Sequence, residues 1–285
     1  MKRIKHIFIA LFLLLSIFFL LSFASIRTTN ITSESPFSSF RVVCLDAGKA
    51  DAMLLLSENA TVVLDTGEQG EGKEILKALE TLGVEKIDYL ILTHFDKDHV
   101  GGAAKIIKEM DISHILQTYP VKDNDAYQDY LKAVATASIT PEIVTSDYDF
   151  ALDSIAYHVI PPDCTTYAES KSNNSSLVMQ VTHGDNTFLF TGDAENARLQ
   201  ELLTDTSVNL HSTFLKVPYH GHYQTLLPDF LKKVTPSYAV ITSSDDEPED
   251  DETIALLTSI GCHTYLTRKG SVTFVSNGTS IEVNK

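Results

Sequence analysis

One short stretch between an apolar run and two glycines constrains this chain more than any other. Residues 90–102 read Leu-Ile-Leu-Thr-His-Phe-Asp-Lys-Asp-His-Val-Gly-Gly. The apolar run that ends at residue 92 predicts a buried strand, and four potential metal ligands follow it, namely His94, Asp96, Asp98 and His99. Carboxylates at the end of a buried strand need a partner, and a metal ion is the strongest one available. The stretch therefore predicts a metal centre, and the alternative is an acidic surface loop that happens to contain histidines.

Three more polar residues follow apolar strands elsewhere, at Asp65, Asp193 and His220. Each is weak evidence alone, but their shared position at strand ends suggests one site. Strands and helices interleave in both halves of the chain, which predicts two sheets, each covered by helices on its outer face. The fold class is therefore α/β (α+β).

The amino terminus carries the pattern of a membrane-targeting segment. Lys2, Arg3 and Lys5 precede an uncharged, almost wholly apolar run over residues 7–24. Both a cleaved signal peptide and a membrane anchor fit residues 1–24, with residues 25–39 as a linker and residues 40–285 as the folded domain. In both cases the basic flank places the rest of the chain outside the cytoplasm, and an uncleaved segment makes the membrane a partner.

The net charge disfavours one class of binding partner, and the cysteine spacing disfavours a cysteine metal site. The net charge of −16 weighs against tight, non-specific binding of nucleic acid, although a polyanion can still be held at a metal centre. Cys44, Cys164 and Cys262 lack the spacing of a metal site, and they are expected to be buried free thiols, with one disulfide as the alternative.

Several motifs together resemble the metallo-β-lactamase fold superfamily, and among its branches the hydrolase domain of ComEC-type competence proteins. The resemblance covers about residues 40–278. Its motifs are 93–102, Leu-Asp-Ala-Gly-Lys-Ala-Asp-Ala at 45–52, Leu-Asp-Thr-Gly at 64–67, Asn-Ser-Ser-Leu-Val at 174–178, Thr-Gly-Asp-Ala-Glu at 191–195 and Leu-Lys-Val-Pro-Tyr-His-Gly at 215–221. The resemblance implies a four-layer αββα sandwich with a binuclear metal site at the rim where the two sheets meet.

The resemblance also implies a ligand set. By position, His94 and Asp96 hold the first metal, Asp98 and His99 hold the second, Asp193 bridges the two and His220 completes the second site. The donor types suit two divalent ions, Zn²⁺ or Mn²⁺.

This sequence departs from the resembled pattern mainly around the first metal. The superfamily usually has His where this chain has Asp96, although the ComEC-type branch has Asp there. The superfamily's third ligand to the first metal is a His from a segment that here contains Asn174 and no His, and Asn174 is a candidate to orient substrate or contact the metal. Tyr219 replaces the first His of the branch's His-His-Gly-Ser motif and His222 replaces its Ser, which suggests a divergent substrate.

The implied chemistry is hydrolysis by a metal-activated hydroxide. Asp98 is the candidate to orient the hydroxide, His222 or Tyr219 to protonate the leaving group, and Lys216 to neutralise a phosphate oxygen. The leading hypothesis is an exported phosphodiesterase or nuclease-like enzyme acting on a phosphodiester or other small anionic substrate, with DNA among the candidates. The alternatives are an ester, lactone or β-lactam hydrolase, and a non-catalytic, metal-stabilised accessory module for competence or DNA uptake.

Other polar residues have simpler interpretations. His183, in a predicted hairpin turn, is expected to be exposed. Asp65 can be explained as a turn residue, and Asp46 and Asp51 as turn residues or as supports of the site. The acidic run 245–252 is expected to be a solvated loop.

Overall fold

The computed structural model describes residues 38–120 and 122–285. The predicted targeting segment 1–24, and the linker 25–39 except for its last two residues, lie outside the described residues. Within the described part, no helix is both long and apolar enough to cross a membrane. All three cysteines fall in this part and are free thiols. Cys44 and Cys262 are buried, as predicted, whereas Cys164 is exposed, so the prediction of burial was wrong for that residue.

Strands and helices alternate in both halves of the described chain. The strands are β1 (Phe40–Cys44), β2 (Ala52–Leu56), β3 (Thr61–Thr66), β4 (Lys86–Leu92), β5 (Asp111–Gln117), β6 (Glu142–Ile143), β7 (Tyr148–Leu152), β8 (Ile155–Ile160), β9 (Val178–His183), β10 (Asn186–Phe190), β11 (Phe214–Lys216), β12 (Tyr238–Ile241), β13 (His263–Leu266), β14 (Val272–Ser276) and β15 (Ile281–Asn284). The α-helices are α1 (Gly72–Thr81), α2 (Lys97–Val100), α3 (Ala103–Glu109), α4 (Asp125–Ala137), α5 (Lys171–Asn174), α6 (Asn196–Thr204), α7 (Leu227–Val234) and α8 (Asp251–Ser259), with 3₁₀ turns at Pro218–Gly221 and Thr267–Lys269.

The strands form two mixed sheets. The first has the order β15-β14-β1-β2-β3-β4-β5-β6 and the second the order β13-β12-β11-β10-β9-β8-β7. Strands β3 to β6 run parallel in the first sheet, and β10 to β13 run parallel in the second. Because parallel neighbours need crossover connections, helices are drawn onto the outer faces of both sheets.

Three apolar layers hold the sheets and helices together. Alternate strand residues such as Leu64 and Phe214 fill the space between the two sheets. On the outer face of the first sheet, α1, α3 and α4 bury residues such as Ile106, and on that of the second, α6, α7 and α8 bury residues such as Phe230. Strands β2 and β3 are buried along their whole length, which is why they read as continuous apolar runs. The predicted four-layer αββα sandwich is confirmed.

The sequence pattern does not predict β7 or β15, and both lie at the edge of a sheet. No residue of β7 is fully buried, and β15 buries only Ile281. An edge strand that buries few side chains carries little apolar signal, so its sequence resembles a loop. Helix α5 was likewise missed, because it is a single turn within a Ser- and Asn-rich segment.

The prediction that His183 is exposed was wrong. Strand β9 extends to His183, which pairs directly with Asn186 on β10, so the hairpin turn is only two residues long. The longer strand carries the His183 ring into the buried layer, where its Nδ1 lies 2.8 Å from Ser276 Oγ and its edge packs against Phe40.

Candidate metal centre

The strand ends of both sheets converge on one buried pocket of His and Asp side chains. Strand β4 leads to His94 and to α2, whose first turn carries Asp98 and whose third residue is His99. Strands β10 and β11, in the other sheet, lead to Asp193 and His220. His220 has a positive φ of 52°, within a tight turn directly after β11.

Asp193 lies at the centre of this pocket. Its Oδ2 is 3.1 Å from His220 Nε2, 3.3 Å from His99 Nε2 and 3.9 Å from His94 Nε2. Asp98 Oδ2 is 3.6 Å from His220 Nε2 on the more exposed side. Five of the six predicted ligands are therefore within reach of a shared point.

Each of the three histidines is oriented through its Nδ1 atom. His99 Nδ1 lies 2.8 Å from Asp65 Oδ2, His220 Nδ1 lies 3.0 Å from the Thr242 carbonyl oxygen, and His94 Nδ1 lies 3.1 Å from Thr93 Oγ1. The three Nε2 atoms are buried, and none makes a well-formed hydrogen bond to a described residue. Buried nitrogens without such partners are costly, and ligand histidines are commonly fixed through the other ring nitrogen. The residues present therefore fit a divalent cation.

The pKa shifts of the pocket residues also fit the binding of a divalent cation. Burial lowers the pKa of His94 to about 3, so this ring is neutral and can donate its lone pair. Burial opposes the charged form of His99 as well, but the carboxylates of Asp193 and Asp65 raise its pKa well above the usual value. Burial also disfavours ionised Asp193, yet His220 and His99 hold its pKa well below the usual range. Positive charge is thus stabilised around His99 and Asp193, whether protons or a metal ion supply it, while His94 stays neutral.

Lys216 is not placed to meet a substrate. It is fully buried, with Nζ 2.6 Å from Asp51 Oδ2, and it donates a hydrogen bond to the Gly192 carbonyl oxygen at 2.9 Å. Asp51 Oδ1 accepts a hydrogen bond of 2.6 Å from Thr242 Oγ1, and Thr242 in turn holds His220. The prediction that Lys216 neutralises a phosphate oxygen was therefore wrong. Of the two alternatives for Asp51, a turn residue or a support of the site, the contacts favour the support of the site.

Asp65 also does more than form a turn. Its Oδ1 accepts from the Thr93 backbone N–H at 2.8 Å, and its Oδ2 accepts from Thr93 Oγ1 at 2.7 Å while contacting His99. Asp46, by contrast, is exposed, and its backbone N–H donates to Ser271 Oγ.

Two residues near the predicted first metal have other partners. The Asp96 carboxylate contacts Lys122 Nζ at 2.8 Å and the Ser172 hydroxyl. Asn174 is buried, and its Oδ1 accepts from the Arg198 backbone N–H at 3.0 Å while its Nδ2 donates to the Glu169 carbonyl oxygen. The polar atoms of the Asn174 side chain are thus engaged in holding α5 against α6, which gives this residue a structural role.

The rim of the pocket contains charged residues to which the sequence analysis gave no role at the site. Lys49 Nζ lies 3.9 Å from Asp98 Oδ2 and 3.2 Å from Glu247 Oε2. The acidic run 245–252 is a largely exposed loop that leads into α8, as predicted, and it is fastened at one point, where Glu249 forms a two-pronged ion pair with Arg268.

His222 also lies at the rim. Its ring centroid is 5.0 Å from that of Tyr219, and its Nδ1 is 3.5 Å from Asp250 Oδ1. Its role as an acid stays a prediction.

Sequence reasoning also missed Thr242, which follows β12 as His220 follows β11. A signal for it existed, because Thr242 ends the parallel strand next to β11 and so comes to the same edge of the sheet.

Close backbone packing at Gly102 holds the helix that carries His99. A Cβ on Gly102 would lie against the Thr66 carbonyl oxygen and 3.0 Å from Gly72 Cα. We expect Gly102→Ala to lower the free energy of unfolding by about 1–3 kcal/mol, because backbone atoms must move apart. Urea denaturation measures this, and Gly70→Ala, where a Cβ meets nothing within 4 Å, is the control. Equal midpoints for both variants would contradict the prediction.

Asp65→Asn tests the support of His99. Asp65 has a φ of 54°, a region that Asn also tolerates, so the backbone is preserved. Loss of the carboxylate leaves the His99 ring less firmly oriented, and we expect metal affinity to fall by roughly 10–100-fold. Competition with a coloured chelator measures the change, and Asp88→Asn, which alters a carboxylate hydrogen bonded to the Thr61 N–H, serves as the control.

Comparison with known proteins places the chain in a family. The sequence profile of the Metallo-beta-lactamase superfamily matches residues 45–243. The chain belongs to this superfamily. The family and the His/Asp clusters together imply binding of divalent metal.

Two curated relatives indicate which members of this superfamily the chain is similar to. "ComE operon protein 3" of Bacillus subtilis is 26% identical over 225 residues, which cover 72% of this chain, and "Competence protein ComA" of Neisseria gonorrhoeae is 26% identical over 212 residues, which cover 73%. The predicted resemblance to ComEC-type proteins is confirmed. The matched part spans 28% of the length of each relative.

A solved structure supports the fold. The metallo-β-lactamase fold protein YhfI of Bacillus subtilis superposes with a TM-score of 0.53 at 13% identity, over 84% of this chain and 99% of that one.

Proposed function

We propose that this chain is an exported, metal-dependent phosphodiesterase or nuclease-like hydrolase. The observation that carries the proposal is the convergence of three buried, oriented histidine Nε2 atoms on Asp193 Oδ2, with Asp98 alongside. Nitrogen and carboxylate donors of this kind suit Zn²⁺ or Mn²⁺. The sequence predicts two such ions, held by the six residues His94, Asp96, Asp98, His99, Asp193 and His220.

The surrounding residues have roles that fit phosphodiester hydrolysis. A divalent cation, when bound, supplies positive charge that favours ionisation of water and offsets charge on a phosphoryl group. Asp98, lying between His220 and Lys49, orients the attacking water by accepting its hydrogen bond. As the water oxygen bonds to phosphorus, its proton passes to Asp98, the ester P–O bond breaks, and His222 gives its own proton to the departing oxygen.

Lys49 takes the role that the sequence suggested for Lys216. Its ammonium group reaches the pocket from the rim and is partly exposed, so it can attract a phosphate oxygen. In a chain with a net charge of −16, a cation at the mouth of the site is what an anionic substrate requires. Lys49→Met is expected to raise KM for an anionic phosphodiester by about 10-fold with a smaller change in kcat, because it removes a charged contact made on binding.

The competence relatives support DNA as a candidate substrate and an extracytoplasmic location. The membrane is a further partner if residues 1–24 are uncleaved. The alternative of an ester, lactone or β-lactam hydrolase rests on the shared superfamily. The alternative of a non-catalytic accessory module rests on Asp96, whose contacts with Lys122 and Ser172 turn it to other partners.

A substrate panel with metal analysis separates these functions. The purified domain, residues 38–285, is assayed for bound metal and for turnover of bis(p-nitrophenyl) phosphate, single-stranded DNA and nitrocefin. Bound metal with turnover of the first two supports the proposal. Nitrocefin turnover alone supports the β-lactam alternative, bound metal without turnover supports the accessory module, and absence of metal overturns the proposal.

A further inference from the structure

Asp96 is a predicted metal ligand, but each of its carboxylate oxygens contacts a residue outside the metal centre. Oδ2 forms an ion pair of 2.8 Å with Lys122 Nζ, and Oδ1 accepts from the Ser172 hydroxyl. The Asp96 side chain is not part of any of the donor triads found among the described residues. We name the arrangement of Asp96, Lys122 and Ser172 the Asp96 clasp.

The remaining donors cannot complete two metal sites at once. They form one triad of His94, His99 and Asp193 and another of Asp98, His99 and His220. Both use His99, whose Nδ1 is occupied by Asp65 at 2.8 Å, so only Nε2 is left to donate. One nitrogen lone pair binds one ion, and the two triads therefore compete for His99.

The competition favours the triad with Asp98. Asp193 Oδ2 lies 3.1 Å from His220 Nε2 and 3.3 Å from His99 Nε2, so adding it gives four donors, a complete tetrahedral set. His94 is then left with only Asp193 as a possible co-ligand. The other oxygen of Asp193 faces the buried Lys216 ammonium group at 3.5 Å, which disfavours a cation on that side.

We propose that this chain binds divalent ions at two positions of very unequal affinity, and that the Asp96 clasp sets the difference. The tight position is formed by Asp98, His99, His220 and Asp193. The weak position, at His94, gains a carboxylate only when Asp96 leaves Lys122 and Ser172. This inference rests on the metal binding that the proposed function requires, and it adds how the second ion is admitted.

Metal titration of the purified full chain tests the inference without relying on activity. Apo-protein is titrated with Zn²⁺ and, separately, Mn²⁺, by calorimetry and by competition with a coloured chelator. We expect one tight equivalent and a second that is about 100-fold weaker, since an ion pair and a charge-assisted hydrogen bond must both be broken.

The clasp is opened by Lys122→Met and by Lys122→Met/Ser172→Ala. Opening should tighten the second equivalent by about 10-fold or more and leave the first unchanged. Adding Asp96→Asn to the double variant should remove the gain, because the released ligand is lost. Lys132→Met, which breaks an exposed ion pair with Asp129, and Ser207→Ala are the matched controls. Lys122 is 44% exposed, so its single variant tests the clasp even where the double variant folds poorly.

The outcomes separate this inference from the proposed function. Two equally tight equivalents in the unaltered chain overturn the inference and leave the metal-dependent function standing. A weak second equivalent that does not respond to opening the clasp also overturns it. Absence of any bound ion in all variants overturns both.

Discussion

Asp193→Asn is expected to empty the metal centre and to lower phosphodiester hydrolysis by about a thousand-fold, the scale seen when a charge-stabilising group is removed from an active site. Asp193 Oδ2 is the oxygen that the three histidine Nε2 atoms face, at 3.1 to 3.9 Å. The amide of Asn has the same shape but no negative charge, so the cation loses its central counter-charge. Metal analysis and turnover of bis(p-nitrophenyl) phosphate measure the two losses.

The matched control for this variant is Asp229→Asn, at an exposed carboxylate paired with Lys232. It should keep full metal content and turnover. Because Lys216 retains its ion pair with Asp51, the Asp193→Asn protein should still unfold cooperatively in urea. A folded variant with unaltered metal content would show that Asp193 is not a ligand, and the assignment of the whole centre would then fail.

The structure brings Asp193 close to the other strand-end residues for a physical reason. An apolar run long enough to be a buried strand, followed within a few residues by a carboxylate or imidazole, leaves that side chain at the edge of a sheet. The same logic places His94, His99 and His220 together. The αββα layers could be predicted equally well, because the interleaved strands and helices and their apolar runs are local signals.

The sequence does not predict the direction in which a polar side chain points after the two sheets have packed against each other. Lys216 follows the same strand-end pattern as His220, yet it points inward to Asp51, which lies before β2 in the other sheet. Asp96 sits between two residues of the centre and turns to Lys122. These choices depend on contacts between distant parts of the chain, which carry no local periodic signal.

The chain shares its fold with YhfI at only 13% identity, so the layers tolerate extensive substitution of apolar residues. Apolar positions tolerate exchange as long as volume and pattern are kept. Oriented ligands do not, because each needs a specific partner, as His99 needs Asp65. Substitutions at the contacts of the centre are therefore expected to affect function more than substitutions in the apolar layers.

The second large effect is expected from Lys216→Met, which leaves the Asp51 carboxylate buried without its partner. Breaking one side of a buried ion pair costs about 3–5 kcal/mol, since an uncompensated charge stays out of water. Urea denaturation of the apo-protein measures the free energy of unfolding. Lys232→Met, at an exposed lysine, should change it by less than about 1 kcal/mol.

The double variant Asp51→Asn/Lys216→Met decides what the pair is for. Removing both charges should recover much of the lost stability, because no buried charge is left unpaired. Metal affinity should stay reduced, because the neutral amide oxygen of Asn accepts the Thr242 hydroxyl less strongly than the Asp51 carboxylate does, and Thr242 holds His220. Recovery of stability without recovery of metal binding assigns the Lys216–Asp51 pair to positioning of His220. Recovery of both would mean that the pair serves only to fill the buried space between the sheets.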